Sequence, residues 1–500
     1  MSRLAGGVPL VGVGVMLLGA SSVAAVSALL AYWVSPVVVA SLLLVVVGVV
    51  VAFWMIQRYR VGALVLLLLC LPLGNLTFAE YVSPVTVLVA VAFAVWLWRV
   101  LSGSERIEFS HMQLPLAIFL LWGIAGIYGA LDVGNAIKVL SIFVMGASVY
   151  LVTSQMIRSP QEAHGVMWTV AFAVAITVLY TVIAGFGGSV SDVQADEGGG
   201  SYDRFGGIFG HPNLLGGFLA LAIPSMVALA ASERFWWRRL SGYLLVIAAM
   251  AGLVLTYSRG AWLGTGVGLL ILLPVLKRGS WLILGPVLLL GPVVVGMATS
   301  ADAVLSRVES IAAAGSDPAL TNRFEIWGVA FRLVAEHPLL GVGLGNFQAA
   351  YGKLMVPDLP LLTYPLEVPE HAHNLFLNLA VEVGLVGVSA FAWLLAVAFL
   401  RVRQIKRFTD WRVGIWSMGL AAGLVAILVQ ALVDVVVYQG FVIILFFTYL
   451  GLMDAFKRFG GSQVEYEPTS SHADRTPVPG TAVRSTPNTG EVRSNRAWLT

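Results

Sequence analysis

Between Glu370 and Gly387 the chain reads, with one flanking residue on each side, PEHAHNLFLNLAVEVGLVGV (residues 369–388). His371 and His373 stand just ahead of an apolar run, Asn374 follows the second histidine, and Glu382 lies inside sequence apolar enough to cross a bilayer. An ionisable side chain at that depth costs roughly 2.5–3.5 kcal/mol on insertion scales, so it calls for a partner inside a helix bundle. Polar groups are gathered here where a membrane excludes them.

The whole chain supports a membrane setting. Its 500 residues are 59% hydrophobic and 11% charged, with a mean hydropathy of +0.89, which excludes an ordinary soluble globular protein. Apolar spans fall near 8–33, 36–56, 61–78, 82–100, 112–131, 136–157, 165–186, 212–231, 240–257, 260–276, 280–298, 373–400, 413–434 and 438–455. The pattern predicts an all-α polytopic membrane protein of about 12–14 transmembrane helices, with one long extracytoplasmic loop carrying an amphipathic helix. Residues 1–298 form the N-terminal transmembrane helices, 299–372 the loop, 373–456 the C-terminal transmembrane helices and 457–500 a disordered cytoplasmic tail rich in Ser, Thr, Pro and Gly. Signal-peptide cleavage after the small residues Ala25–Ala28 is an alternative for the first span and leaves the remaining topology unchanged. The lone Cys70 excludes an intramolecular disulfide and a cysteine-based metal cluster.

Charge sets the orientation. Arg58 and Arg60, Arg99 and Arg106, Arg158, Arg234 to Arg239, Lys277 with Arg278, Arg401 to Arg412, and Lys457 with Arg458 occupy alternate loops, which places both termini in the cytoplasm. Lys138, Arg204, Arg259, Arg307, Arg323, Arg332 and Lys353 break this rule by falling on or near the external side. A cation set against the topogenic bias needs another reason to be there, and binding an anion is the simplest. In the long loop, Asn322 and Glu325 resemble a capping box. Phe324, Trp327, Phe331 and Val334 recur at helical spacing, predicting a helix over 323–336 whose stripe lies on the mouth of the membrane domain. Pro338 with Gly341, Gly343 and Gly345 then predicts a tight, exposed turn.

His373 is the candidate base, a role worth roughly 10²- to 10⁴-fold in rate; helix capping is its alternative. Asn374 offers both donor and acceptor to fix the ring or a bound sugar. His371 lies outside the expected helix and is the weaker candidate. Glu382, nine residues beyond His373, points roughly opposite on a straight helix and about 13 Å deeper, so it is read as a structural contact with Asn378 on its face. Arg259, in the turn TYSRGAW (256–262), has the fork geometry to hold phosphate oxygens, with snorkelling to headgroups as the alternative. Arg323 combines its charge with a helix N-terminus, and Arg204 completes a possible anion-binding set. Asp434, at the end of its expected helix, either pairs with an arginine or assists His373. No P-loop, dinucleotide fingerprint, HExxH or paired-acid motif is present, so nothing points to a nucleotide or nucleic acid partner.

Taken together, His373-Asn374 followed after nine residues by Gly384-Leu385-Val386-Gly387, SRGAWLG (258–264), Arg323-Phe324-Glu325-Ile326-Trp327 and EHPLLGVGLGNF (336–347) resemble the O-antigen ligase family. The resemblance runs from about Arg204 to Asp434, and the superfamily includes O-antigen polymerases and protein O-oligosaccharyltransferases. It implies a glycosyltransferase in the bacterial inner membrane that moves a glycan from undecaprenyl diphosphate to a lipid or glycan acceptor hydroxyl at the periplasmic face. Neither metal, cofactor nor nucleotide is implied. His373 would activate the acceptor and Arg259, Arg323 and Arg204 would hold the diphosphate, with Asn374, Asp434 and His371 in support. A polymerase differs only in its acceptor. A flippase for lipid-linked oligosaccharide is the alternative from another class, although such transporters show repeated halves and midplane ion sites.

Overall fold

The computed structural model describes residues 55–56, 58–74, 83–186, 204–276, 318–355, 368–405 and 410–461. The spans expected at 8–33 and 280–298, nearly all of 36–56, most of the glycine-rich loop before Arg204, and the expected tail beyond 461 lie outside these residues. Among the described residues the chain is helical, with no strand. In order, the helices are α1 (Gly62–Leu69), α2 (Pro84–Leu101), α3 (Gln113–Gly126), α4 (Val133–Met156), α5 (Pro160–Phe186), α6 (Pro212–Ser232) and α7 (Trp236–Leu255). They continue as α8 (Arg259–Leu272), α9 (Pro318–Glu336), α10 (Phe347–Met355), α11 (Leu375–Ile405), α12 (Trp411–Gln430) and α13 (Gly440–Phe456). Seven of them (α2, α4, α5, α6, α7, α11 and α12) are long and apolar enough to cross a membrane, and shorter apolar segments cover 113–129, 259–275 and 440–456. The span expected at 61–78 appears only as α1 and a 3-10 turn at Leu71–Leu73.

The bundle is organised around α6, buried along nearly its whole length and packed between α7, α8 and α12. Glycines set that packing: a Cβ at Gly264 of α8 would collide with the Ala426 carbonyl of α12, and one at Gly423 of α12 with the Leu221 carbonyl of α6. Within a bilayer, where apolar side chains gain little by leaving lipid, such close backbone approach is a main source of helix association.

Two irregularities position everything that follows. The first is a break in α11 at Gly384, whose φ of 65° and ψ of −176° interrupt the helix. The carbonyls of Val381 and Glu382 accept the N–H groups of Val342 and Gly343, each at 2.9 Å, while the Leu385 N–H donates to the Pro338 carbonyl at 2.8 Å. The loop Pro338–Asn346 is therefore docked into the break. On its other side Trp122 donates to the Leu339 carbonyl at 3.0 Å, Asn346 bonds both backbone groups of Asp132, and Asn135 bonds the Gly345 carbonyl. Val342, Leu344 and Asn346 are buried, which corrects the expected exposed turn. The glycines serve close approach: a Cβ at Gly341 would strike the Glu382 backbone, and one at Gly384 the Leu339 carbonyl.

The second irregularity is the link between α12 and α13. The helix stops at Gln430 and the chain runs on through a 3-10 turn at Val436–Tyr438, so Asp434 sits in an irregular link and not on a helix end. The tight hairpin expected between these spans is replaced by this longer connection.

Helix α9 is present and longer than expected, but its buried face is rotated. Ile326 and Leu333 are 4% and 3% exposed, whereas Phe324 and Phe331 are 63% and 64% exposed. At the opposite end of the bundle from Asp434, charges are mated. Arg60 and Arg158 meet Glu105, Arg158 and Arg458 meet Glu108, and Arg401 lies 3.6 Å from Asp454, which also accepts the Tyr150 and Ser110 hydroxyls.

Candidate active site

The strap 369–374 enters α11 under tight control. Asn374 is the cap of the helix: its Oδ1 accepts the Leu377 N–H at 3.0 Å, and its Nδ2 donates to the Leu432 carbonyl at 3.1 Å. The Leu375 N–H donates to the Ala431 carbonyl at 2.8 Å, so the strap is stitched to the α12–α13 link. Ala372, fully buried between the two histidines, is held on both faces. Its N–H donates to Asn378 Oδ1 at 3.0 Å and its carbonyl accepts the Trp327 indole N–H at 2.8 Å. These bonds keep His373 in the left-handed region, at φ 50°, a conformation uncommon for a residue with a side chain and maintained only where its surroundings over-determine it. Capping falls to Asn374, which leaves the His373 ring available for other work.

Both rings turn to one carboxylate. His371 Nε2 lies 3.6 Å and His373 Nδ1 3.9 Å from Asp434 Oδ1, with the ring centroids 4.6 Å apart. His373 Nδ1 is buried and makes no hydrogen bond at that distance. Asp434 is fixed independently: Oδ1 accepts the Val435 N–H at 2.8 Å and Oδ2 the Asn213 side-chain amide at 2.8 Å. Burial by itself raises the Asp434 carboxyl, but the N–H groups and charge of His371 and His373 overcome that and hold it well below the usual carboxylate range.

Behind Asp434 stands Asn213, in the first turn of α6. Its Oδ1 accepts the Arg204 guanidinium at 2.9 Å, and its carbonyl accepts the Gln430 side chain at 2.9 Å. Arg204 is buried and also reaches the Thr256 carbonyl at 3.3 Å, so it braces the carboxylate through Asn213. Arg259 opens α8 two residues after Tyr257, another non-glycine residue at φ 50°. The first turn of α8 abuts the Asp434 link, since a Cβ at Gly260 would lie 2.9 Å from Val433 Cγ2. Arg323 lies one turn before Trp327 on the same face of α9, the face whose indole reaches the strap.

His371, His373 and Asp434 are thus brought together directly, Arg204 joins them through Asn213 and Asn374 through the α12–α13 link, and Arg259 and Arg323 stand on elements packed against them. Glu382 does not touch His373; it accepts the Tyr438 hydroxyl at 2.7 Å. Asn213, Trp327 and Tyr438 were not legible as site-building residues. The signal for Asn213 is an amide beside proline at a membrane edge, in His211-Pro212-Asn213. His371, His373 and Asp434 also offer three ligand atoms within 4.8 Å of one another, a donor set that zinc or iron accepts. Chemically, the arrangement suits proton transfer from a hydroxyl beside fixed positive charge. No curated protein matches the chain. A family model described as O-antigen ligase matches residues 244–392, the segment that carries Arg259, Arg323, the Gly384 break and both histidines.

Proposed function

We propose that this multi-pass membrane enzyme transfers a glycan from a polyprenyl diphosphate, undecaprenyl diphosphate in a bacterial inner membrane, to the hydroxyl of a lipid or glycan acceptor on the periplasmic side. The observation that carries the reading is the His371–His373–Asp434 cluster, placed beside the start of α8 and the inner face of α9. Asp434 draws in His373 Nδ1 and so fixes the tautomer, leaving Nε2 to take the proton from the acceptor hydroxyl. The acceptor oxygen then bonds the anomeric carbon as the carbon–oxygen bond to the diphosphate breaks. The diphosphate leaves with the electron pair, and Arg259 and Arg323 neutralise its growing charge. Arg204 acts one step back, holding Asn213 against Asp434. A single displacement of this kind inverts the anomeric centre.

Purified protein in nanodiscs, given a polyprenyl-diphosphate oligosaccharide and candidate acceptors, is expected to release polyprenyl diphosphate and yield a glycosylated acceptor by mass spectrometry. A repeat unit acting as acceptor would identify a polymerase on the same machinery. Movement of intact donor across liposomes without covalent change would replace the reading with a flippase. The mechanism runs without a metal, so transfer is expected to survive chelator; loss restored by a divalent ion would place a cation at His371, His373 and Asp434.

A further inference from the structure

Glu382 and Asn378 are buried, Tyr438 is half-buried, and all three lie outside the reacting cluster. Their hydrogen bonds run in one direction. The Ala372 backbone N–H can only donate, so the atom of Asn378 that meets it at 3.0 Å is the carbonyl oxygen. The Asn378 amide nitrogen therefore faces the Tyr438 hydroxyl at 3.3 Å and donates to it. Having accepted there, Tyr438 sends its one proton to Glu382 Oε2 at 2.7 Å. Glu382 ends the chain as an acceptor, beside the backbone N–H groups of Gly345 in the docked loop and Phe347 at the start of α10. The ring of Tyr438 is held in turn by an edge contact with Phe143, at 5.4 Å between centroids.

We propose that Glu382, Tyr438 and Asn378 form a positioning relay whose carboxylate end dictates the orientation of the Asn378 amide, and through Ala372 the placement of the His371–His373 strap. The inference rests on the reading of His373 as the reacting base. Ala372 is the fulcrum because the relay holds its N–H, Trp327 holds its carbonyl, and a histidine follows on each side. The relay also joins the docked loop to the strap, so the break at Gly384 and the left-handed turn at His373 are two ends of one constraint.

Reversing the donors tests this. Asn378→Asp keeps the acceptor for Ala372 but cannot donate to Tyr438, and it places a second carboxylate near Glu382. The kcat is expected to fall about 100-fold, the scale of a displacement of about 1 Å in a catalytic group, with KM for the lipid-linked donor unchanged. Adding Glu382→Gln supplies an amide that donates to Tyr438, which then donates to the new aspartate; the double variant is expected to recover at least about 10-fold of that loss. Hydrogen exchange of the peptide spanning 368–376 reads the strap without activity. The Ala372 amide is expected to be protected in the wild type, less protected in Asn378→Asp, where the second carboxylate displaces the side chain, and protected again in the double variant. Tyr438→Phe, which adds no charge, serves if Asn378→Asp does not accumulate, and is expected to lower kcat with little change in Tm. Wild-type kcat and protection in Tyr438→Phe, or a double variant no better than Asn378→Asp, would overturn the relay. Exchange that follows the pattern in a protein without transferase activity would leave the relay standing and remove the proposed function instead.

Discussion

The two ends of the bundle use charge in opposite ways. At the end marked by Arg158 the carboxylates are mated: Glu105, Glu108 and Asp454 each meet at least one arginine, and Arg458 also reaches the carbonyls of Ser154 and Ile157. At the other end the buried carboxylate of Asp434 faces two half-exposed imidazoles at distances too long for hydrogen bonds. One end is a closed network of ion pairs. The other is held in register by bonds from backbone and amides, while its titratable rings stay open to whatever enters. The difference lies in how the charges are partnered and not in residue type, because both ends combine arginine with buried acid.

Substitutions can break that contrast, and the largest effect is expected at the open end. His373→Ala is expected to lower kcat by about 10³-fold in the nanodisc assay while leaving folding intact. Arg259→Ala is expected to do the same through the leaving group, by about 10²- to 10³-fold. Normal turnover in either variant removes that residue from the mechanism. Gly384→Val comes next: its positive φ and collision with the Leu339 carbonyl are expected to undock the loop and cost about 3 kcal/mol or more, read as a lower melting temperature. At the closed end, Asp454→Asn is expected to cost about 3 kcal/mol of stability by stranding Arg401, with kcat unchanged in the protein that remains folded. Smallest is Phe331→Ser on the outer face of α9, expected to shift stability by about 0.5 kcal/mol or less, while Leu333→Ala on the inner face costs about 2 kcal/mol or more.

A pH series sharpens the same comparison. Because its folded value is depressed, Asp434 contributes stability that is complete above the ordinary aspartate value of 3.8 and is lost as the pH falls further. The unfolding gap between wild type and Asp434→Asn is therefore expected to hold from neutral pH to about 4 and to narrow below it. A gap that stays flat below pH 4 would mean the carboxylate is not held in its charged form.

Much of this was legible from residues alone, and the failures have physical causes. Apolar runs gave the membrane helices because a bilayer demands continuous hydrophobicity and internal backbone bonding. The same demand hid the true face of α9: next to lipid, Phe324 and Phe331 are content outside, so large apolar side chains do not distinguish the face toward protein. The Asp434 link has no proline or glycine between Ala431 and Gln439 to announce that the helix has ended. Helix geometry did separate Glu382 from His373 correctly and place Asn378 beside it, but a connection through Tyr438, 56 residues further along, cannot be read from spacing on one helix.

The stitching of the strap to the α12–α13 link also bears on how the protein is made. The Ala431 and Leu432 carbonyls, Asp434 and Tyr438 all lie downstream of the histidines they hold. A ribosome that has inserted the first half of α11 has produced every histidine and arginine of the centre without the chain that sets them. The strap is thus set late in biogenesis, only after α12 and the link beyond it have been made.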